Sequence, residues 1–121
     1  MHALVIDDSR VLRRLLGDML RQFGFKVDEA TNGREGLTCL TTAAKPDIVL
    51  VDWNMPEMNG LEFLQAVRAD KRFQDLPVMM VTSETESQQI AKALEVGASD
   101  YVMKPFSKEV IGDKLQILGL L

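Results

Sequence analysis

Cysteine is almost missing from this chain: Cys39 is the only one in 121 residues, so no internal disulfide can form, and a reducing compartment is the natural setting. Histidine is equally scarce, with His2 alone, so the Cys/His sets that hold zinc cannot be assembled. No apolar run approaches the roughly 20 residues needed to cross a bilayer. The opening Met1-His2-Ala3-Leu4 has no charged region leading into an apolar stretch, so it does not read as a signal peptide. Excess positive charge is lacking too. The formal net charge is −4, a poor basis for binding nucleic acid, whose affinity comes from neutralising phosphates. A cytoplasmic protein with no membrane partner and no direct nucleic-acid binding is expected.

What remains is ordinary globular material. At 46% apolar and 26% charged, a chain of this length suits one compact domain over residues 1–121. Such a domain buries roughly two thirds of its unfolded surface and needs no disulfide or metal to fold. Five short apolar runs alternate with segments of helical periodicity. The runs are Ala3–Ile6, the more polar Lys26–Ala30, Ile48–Val51, Val78–Val81 and Tyr101–Met103. Four consecutive aliphatic residues at Ile48–Val51 predict burial on both faces, as in the middle of a parallel sheet. Ser9 is placed to cap a helix carrying Leu12, Leu15, Leu16, Met19, Leu20 and Phe23, with Gly24 just past its end. Asn32 and Glu35 have capping-box spacing ahead of Leu37 and Leu40. Later helices carry Leu61, Leu64 and Val67, then Ile90, Leu94 and Val96 closed by Gly97. The last opens at Ser107, with Val110, Ile111, Leu115 and Leu118 inward. Strand-helix alternation repeated five times calls for an α/β fold, a parallel sheet with helices on both faces. The apolar tail Ile117–Leu121 either packs down or marks where a longer protein was cut.

The polar residues fall in a pattern. Asp7 and Asp8 follow the first strand, Asp52 the third, Thr82 the fourth and Lys104 the fifth. In a parallel sheet these ends share one edge, where such folds place their ligands. Singly, each residue reads as a turn or a helix cap; together they read as a site. Three carboxylates at about 4 Å repel by roughly 4 kcal/mol per pair at an effective dielectric of about 20. A hard divalent cation relieves that repulsion, and aspartate, carbonyl and water ligands suit Mg²⁺. Lys104 supplies a positive charge and Thr82 a hydroxyl donor. The set describes a cradle for a phosphoryl group carried on a carboxylate, where in-line positioning and charge neutralisation matter more than a built-in base.

These residues resemble the response-regulator receiver family along the whole chain. The matching pieces are Val5-Ile6-Asp7-Asp8-Ser9, Asp52-Trp53-Asn54-Met55-Pro56, Asn59-Gly60, Val81-Thr82-Ser83, Gly97-Ala98 and Lys104-Pro105-Phe106. The Asp-Trp-Asn-Met-Pro stretch and Tyr101 look like CheY-like members. The resemblance implies a doubly wound, flavodoxin-like (βα)5 fold with strand order 2-1-3-4-5. It implies Asp52 as phosphoacceptor, Asp8 holding Mg²⁺ directly, Asp7 holding it mainly through water, and the Asn54 backbone carbonyl as a further ligand. Lys104 would pair with a phosphoryl oxygen. Thr82 would swing in to bond the phosphoryl group, and Tyr101 would follow it inward. Asn54 and Glu84 would tune the lifetime of the phosphoryl group, and the Lys104–Pro105 bond would be cis. The implied function is a two-component phosphorylation switch. It would be a signalling domain that catalyses only its own Mg²⁺-dependent phosphorylation and dephosphorylation. Its donor would be a sensor histidine kinase or a histidine phosphotransfer domain, and it would act on a downstream protein or a tethered output domain.

A Mg²⁺-dependent phosphatase with an aspartyl-phosphate intermediate would carry an Asp-x-Asp pair, whereas Asp7 and Asp8 are adjacent. A nucleotide- or flavin-binding domain would need glycines in the first strand-helix turn, which holds Asp7-Asp8-Ser9 instead. A docking-only pseudo-receiver would not need all five key residues. The arginines Arg10, Arg13, Arg14 and Arg21 read either as a solvated helix face or, at Arg13 and Arg14, as a surface for the phosphoryl donor.

Overall fold

Every residue of the central strand β3 (Ile48–Asp52) is buried, as four aliphatic residues in succession require. A computed structural model describes residues 1–42, 44–83 and 89–121. Around β3 the described residues form β1 (His2–Ile6), α1 (Arg10–Gln22), β2 (Lys26–Ala30), α2 (Gly33–Thr42), α3 (Gly60–Ala69), β4 (Val78–Thr82), α4 (Ile90–Val96), β5 (Asp100–Met103) and α5 (Lys108–Ile117). A short 3-10 turn, Lys71–Phe73, lies between α3 and β4. The strands are parallel and run in the order β2-β1-β3-β4-β5, as expected. The polar strand β2 lies at an edge, where only one neighbour must be matched.

Alternation along the strands divides the core in two. Leu4, Ile6, Val49, Val51, Val78 and Met80 face one way, against Leu40, Phe63, Leu64, Val67 and Ala93 of α2, α3 and α4. Ala3, Val5, Ile48, Leu50, Met79 and Val81 face the other way, against Leu16, Leu20, Ile111 and Leu115 of α1 and α5. Each strand therefore supplies both layers, and no side of the central strands is left for solvent.

Local signals fix the helix ends. The Ser9 hydroxyl accepts from the Leu12 amide at the start of α1, and Gly24 takes a positive φ of 93° just beyond its end, where a side chain would be disfavoured. Asn59 and Glu62 complete a reciprocal capping box on α3 that the sequence reading did not single out. One expectation is corrected. Val110 does not point inward but is 40% exposed, while Ile111 and Leu115 are fully buried. The buried stripe of α5 follows the i, i+4 pair, and Val110 lies about 100° round the helix from Ile111. Leu15 and Leu94 also flank their helices' buried stripes and are exposed. In the tail, Leu118 and Leu120 pack against the α1–α5 layer, while Ile117 and Leu121 remain exposed.

Candidate functional site

The strand order reverses its direction of growth between β1 and β3, so their carboxyl ends open a crevice at the sheet edge. Asp7 and Asp8 follow β1, and Asp52 is the last residue of β3. One carboxylate oxygen from each of Asp7, Asp8 and Asp52 lies within 4.8 Å of the other two. Thr82 ends β4 beside Met103 of β5, and the next residue, Lys104, donates its amide to the Thr82 carbonyl at 2.7 Å. That bond carries the sheet pairing one residue further and aims the Lys104 side chain into the crevice. Its Nζ lies 3.0 Å from Asp52 Oδ1 and 4.0 Å from Asp7 Oδ2.

The result is an open cleft of about 350 Å³ lined by Asp7, Asp8, Ser9, Leu12, Asp52, Asn54, Ser83 and Lys104. Asp52 and Asp7 form its buried floor, and Asp8 and Asn54 its exposed rim. Asp7 Oδ1 accepts the Ser9 amide at 2.8 Å, whereas its buried Oδ2 accepts no hydrogen bond from the described residues. Burial pushes the Asp7 carboxyl above its ordinary range, with Asp8 adding to the rise and the Ser9 amide and Lys104 opposing it. The Thr82 hydroxyl is likewise buried without a hydrogen-bond partner among the described residues, at the end of the fully buried strand β4.

These features fit a hard divalent cation. Three converging carboxylates, one with an unbonded buried oxygen, leave negative charge that Lys104 alone does not match, and oxygen donors of this kind suit Mg²⁺.

Of the residues singled out from sequence, Asp7, Asp8, Asp52, Asn54 and Lys104 line this cleft, and Thr82 is buried at the adjoining end of β4. Tyr101 does not line it. It lies half-buried on β5, against the α2–α4 side of the core, with Lys114 Nζ 4.7 Å from its ring centroid. Glu84 lies outside the described residues. The Lys104–Pro105 peptide is cis, as the resemblance implied.

Two supporting features had weaker sequence signals. Gly60 begins α3 directly under the site. A Cβ there would lie 2.5 Å from the Asp52 carbonyl oxygen and 3.0 Å from the Trp53 Cα. Between them, a tight turn centred on Glu57 (φ 66°) brings the Met58 amide to the Pro56 carbonyl at 2.7 Å. Arg13 is the second. Its Nη1 donates to the Asp7 carbonyl at 2.7 Å and its Nε to Glu29 Oε1 at 3.2 Å. Ser9, two residues after Asp7, has the spacing of a local side-chain turn. Nothing in the local pattern marks Arg13, six residues after Asp7.

A doubly wound parallel sheet whose carboxyl edge gathers three aspartates, a lysine and a threonine defines a class of ligand-binding α/β domain built for phosphoryl chemistry. Comparison with known proteins narrows the class. The model of the response regulator receiver domain matches residues 3–116. The chain is 40% identical over 119 residues to the chemotaxis protein CheY1 of Helicobacter pylori, covering 98% of this chain and 96% of that protein. It is 41% identical over 121 residues to a CheY homolog of Campylobacter jejuni, covering 98% and 93%. The solved structure of the chemotaxis response regulator CheY4 of Vibrio cholerae superimposes with a TM-score of 0.89 at 34% identity, covering 97% of each chain. The chain belongs to the response regulator receiver domain family. It is a phosphorylation-dependent signalling switch of the two-component type.

Proposed function

We propose that Asp52 is the residue that accepts the phosphoryl group, from a sensor histidine kinase or a histidine phosphotransfer domain. The observation that carries this reading is the position of Asp52. Its carboxylate is buried on the floor of the cleft at the end of the central strand, with Lys104 Nζ 3.0 Å from its Oδ1. The donor's P–N bond breaks as a P–O bond forms to an Asp52 carboxylate oxygen, and the electron pair returns to the donor imidazole.

Mg²⁺ would be held by Asp7, Asp8, Asp52 and the backbone carbonyl of Asn54. When bound, it supplies charge that neutralises the phosphoryl oxygens and fixes their orientation. Lys104 pairs with a further phosphoryl oxygen, and Thr82, whose hydroxyl is buried without a partner among the described residues, turns to donate to another. Phosphorylation adds roughly −1.5 to −2 charges at one carboxylate, and closing Thr82 and Lys104 on that charge biases an equilibrium between two surface states. Tyr101, next door on β5, moves inward behind Thr82. The surface of α4, β5 and α5 is the readout, and its exposed Leu94 and Val110 offer apolar contact to a downstream protein or a tethered output domain. Asn54, on the cleft rim, and Glu84 set the lifetime of the phosphoryl group.

Residues 1–121 thus act as one receiver unit in the cytoplasm that turns over only its own phosphoryl group, with no direct binding to nucleic acid or membrane. The donor docks beside the cleft. An apolar groove of about 300 Å³ formed by Leu12, Leu15, Pro105 and Phe106 adjoins Lys104, and Arg14 is exposed on the same helix as Leu12 and Leu15. Arg13 is held by Asp7 and Glu29 and serves that docking less than its sequence position suggested.

The test is chemical. Incubation with MgCl₂ and acetyl phosphate, followed by mass spectrometry, is expected to show one phosphoryl adduct on the wild type and none on Asp52→Asn. An adduct that persists in the variant would place the acceptor elsewhere, and turnover of many small phosphate esters would favour an enzyme.

A further inference from the structure

Arg13 projects from α1 back toward the end of β1 and joins three elements. Its Nη1 donates to the carbonyl oxygen of Asp7 at 2.7 Å, and its Nε lies 3.2 Å from Glu29 Oε1 of β2. The side chain is only 13% exposed, so the guanidinium is spent within the fold. Glu29 is steadied in turn by Arg21, whose Nη2 lies 3.7 Å from Glu29 Oε2. The Asp7 amide is bonded to the Ala30 carbonyl at 3.2 Å. Both backbone polar groups of Asp7 are therefore fixed, one by β2 directly and the other by Arg13 with Glu29 behind it. Beyond that point the chain turns sharply, the Ser9 amide closing on Asp7 Oδ1 at 2.8 Å.

We infer that Arg13 is a positioning residue for the acidic pair, holding the turn after β1 so that the carboxylates of Asp7 and Asp8 converge with that of Asp52 on one cation. The inference rests on the Mg²⁺ reading of the site given above. Carboxylates that must meet within 4.8 Å repel each other and drift apart unless their backbone is held. A planar guanidinium can hold a carbonyl and a carboxylate at once, in fixed directions, as a lysine ammonium cannot. Partners that orient metal ligands from behind commonly change metal affinity by about 10- to 100-fold when removed.

The sign of the effect separates positioning from simple charge. Arg13 carries a positive charge close to a cation site. If charge alone mattered, Arg13→Met would tighten Mg²⁺ binding by removing a repulsion. Positioning predicts the opposite, a weakening of about tenfold, with partial recovery in Arg13→Lys.

The measurement is a titration of each protein with MgCl₂ alone, followed by fluorescence of Trp53, the single tryptophan, which adjoins Asp52. Thermal melts in EDTA run alongside. A role confined to folding would lower the melting temperature and leave the Mg²⁺ affinity of the folded protein unchanged, and that result overturns the inference, as does tighter binding by Arg13→Met. Should Arg13→Met fail to fold, Arg13→Lys, which keeps the charge, carries the comparison, and an affinity equal to wild type overturns it. If calorimetry also finds no Mg²⁺ binding by the wild type, the metal reading falls and takes this inference with it. Wild-type binding with unaltered variants removes the inference alone.

Discussion

Asp7 carries a cost that its neighbours only partly offset. Its carboxyl is buried and pushed upward chiefly by desolvation, and its Oδ2 has no hydrogen bond among the described residues. The folded protein therefore keeps a proton on Asp7 at a pH where the unfolded chain has released it. Taking protons bound as the measure, the native state binds more between the ordinary value of 3.8 and the raised value. The Asp7 contribution to stability is thus greatest below 3.8 and falls as pH rises through that window. At neutral pH the buried carboxyl is a cost that a bound cation would offset. Asp7→Asn is accordingly expected to stabilise the metal-free protein at pH 7 by about 1 kcal/mol, the ordinary cost of an unsatisfied buried polar atom, and to lose that advantage below pH 4. Urea unfolding in EDTA at both pH values measures it; a lower midpoint for Asp7→Asn at pH 7 would show that Lys104 and the Ser9 amide already satisfy the carboxylate.

Among the elements, α3 shows how closely the site depends on backbone packing. Its first residue, Gly60, brings its amide to the Trp53 carbonyl at 2.9 Å and leaves no room for a Cβ beside the Asp52 carbonyl. Because the obstacles include backbone rather than only the tip of a flexible side chain, an added methyl must displace either α3 or the end of β3. Gly60→Ala is expected to cost about 1–3 kcal/mol, the usual range for overpacking, and to slow phosphorylation by acetyl phosphate as Asp52 moves. Gly17, inside α1, is the control. A Cβ there meets only the Arg21 guanidinium tip and the Val27 methyl, at 3.2 and 3.5 Å, so Gly17→Ala is expected to leave phosphorylation unchanged and add about 0.5–1 kcal/mol of stability. Chemical denaturation with a parallel phosphorylation assay checks both. A different kind of anchoring holds α4. Arg68 of α3 donates to the Gly97 carbonyl at 2.9 Å and to the Phe73 carbonyl at 2.8 Å, fastening the carboxyl end of α4 to α3 and to the 3-10 turn.

At the scale of the whole molecule, the sheet and the site were legible in the sequence for the same reason. Parallel topology sends every strand's carboxyl end to one edge, so Asp7, Asp8, Asp52, Thr82 and Lys104 needed only their strands to be recognised in order to be gathered. Long-range placement followed from a local pattern. The features that escaped depend on contacts between elements. Val110 and Leu15 were indistinguishable by type from their buried neighbours, and their exposure followed from how each helix rolls onto the sheet. Arg13 looked like part of a basic surface until β2 supplied Glu29. The contacts that join elements around the acidic cluster are thus less visible in the sequence than the residues that line it. The site also bears on the stability of the whole fold. A cation that needs Asp7, Asp8 and Asp52 at once can bind only the folded chain, so MgCl₂ is expected to raise global stability by RT ln(1 + [Mg²⁺]/Kd), about 2.7 kcal/mol at one hundred times Kd. Asp8 is exposed, so Asp8→Asn should fold almost as well as wild type without metal yet lose most of this increment. Thermal melts across a MgCl₂ series check it. A wild-type melting temperature that rises with metal while that of Asp8→Asn stays nearly flat is the expected result; parallel rises in both would mean that the ion stabilises the protein somewhere other than this cleft.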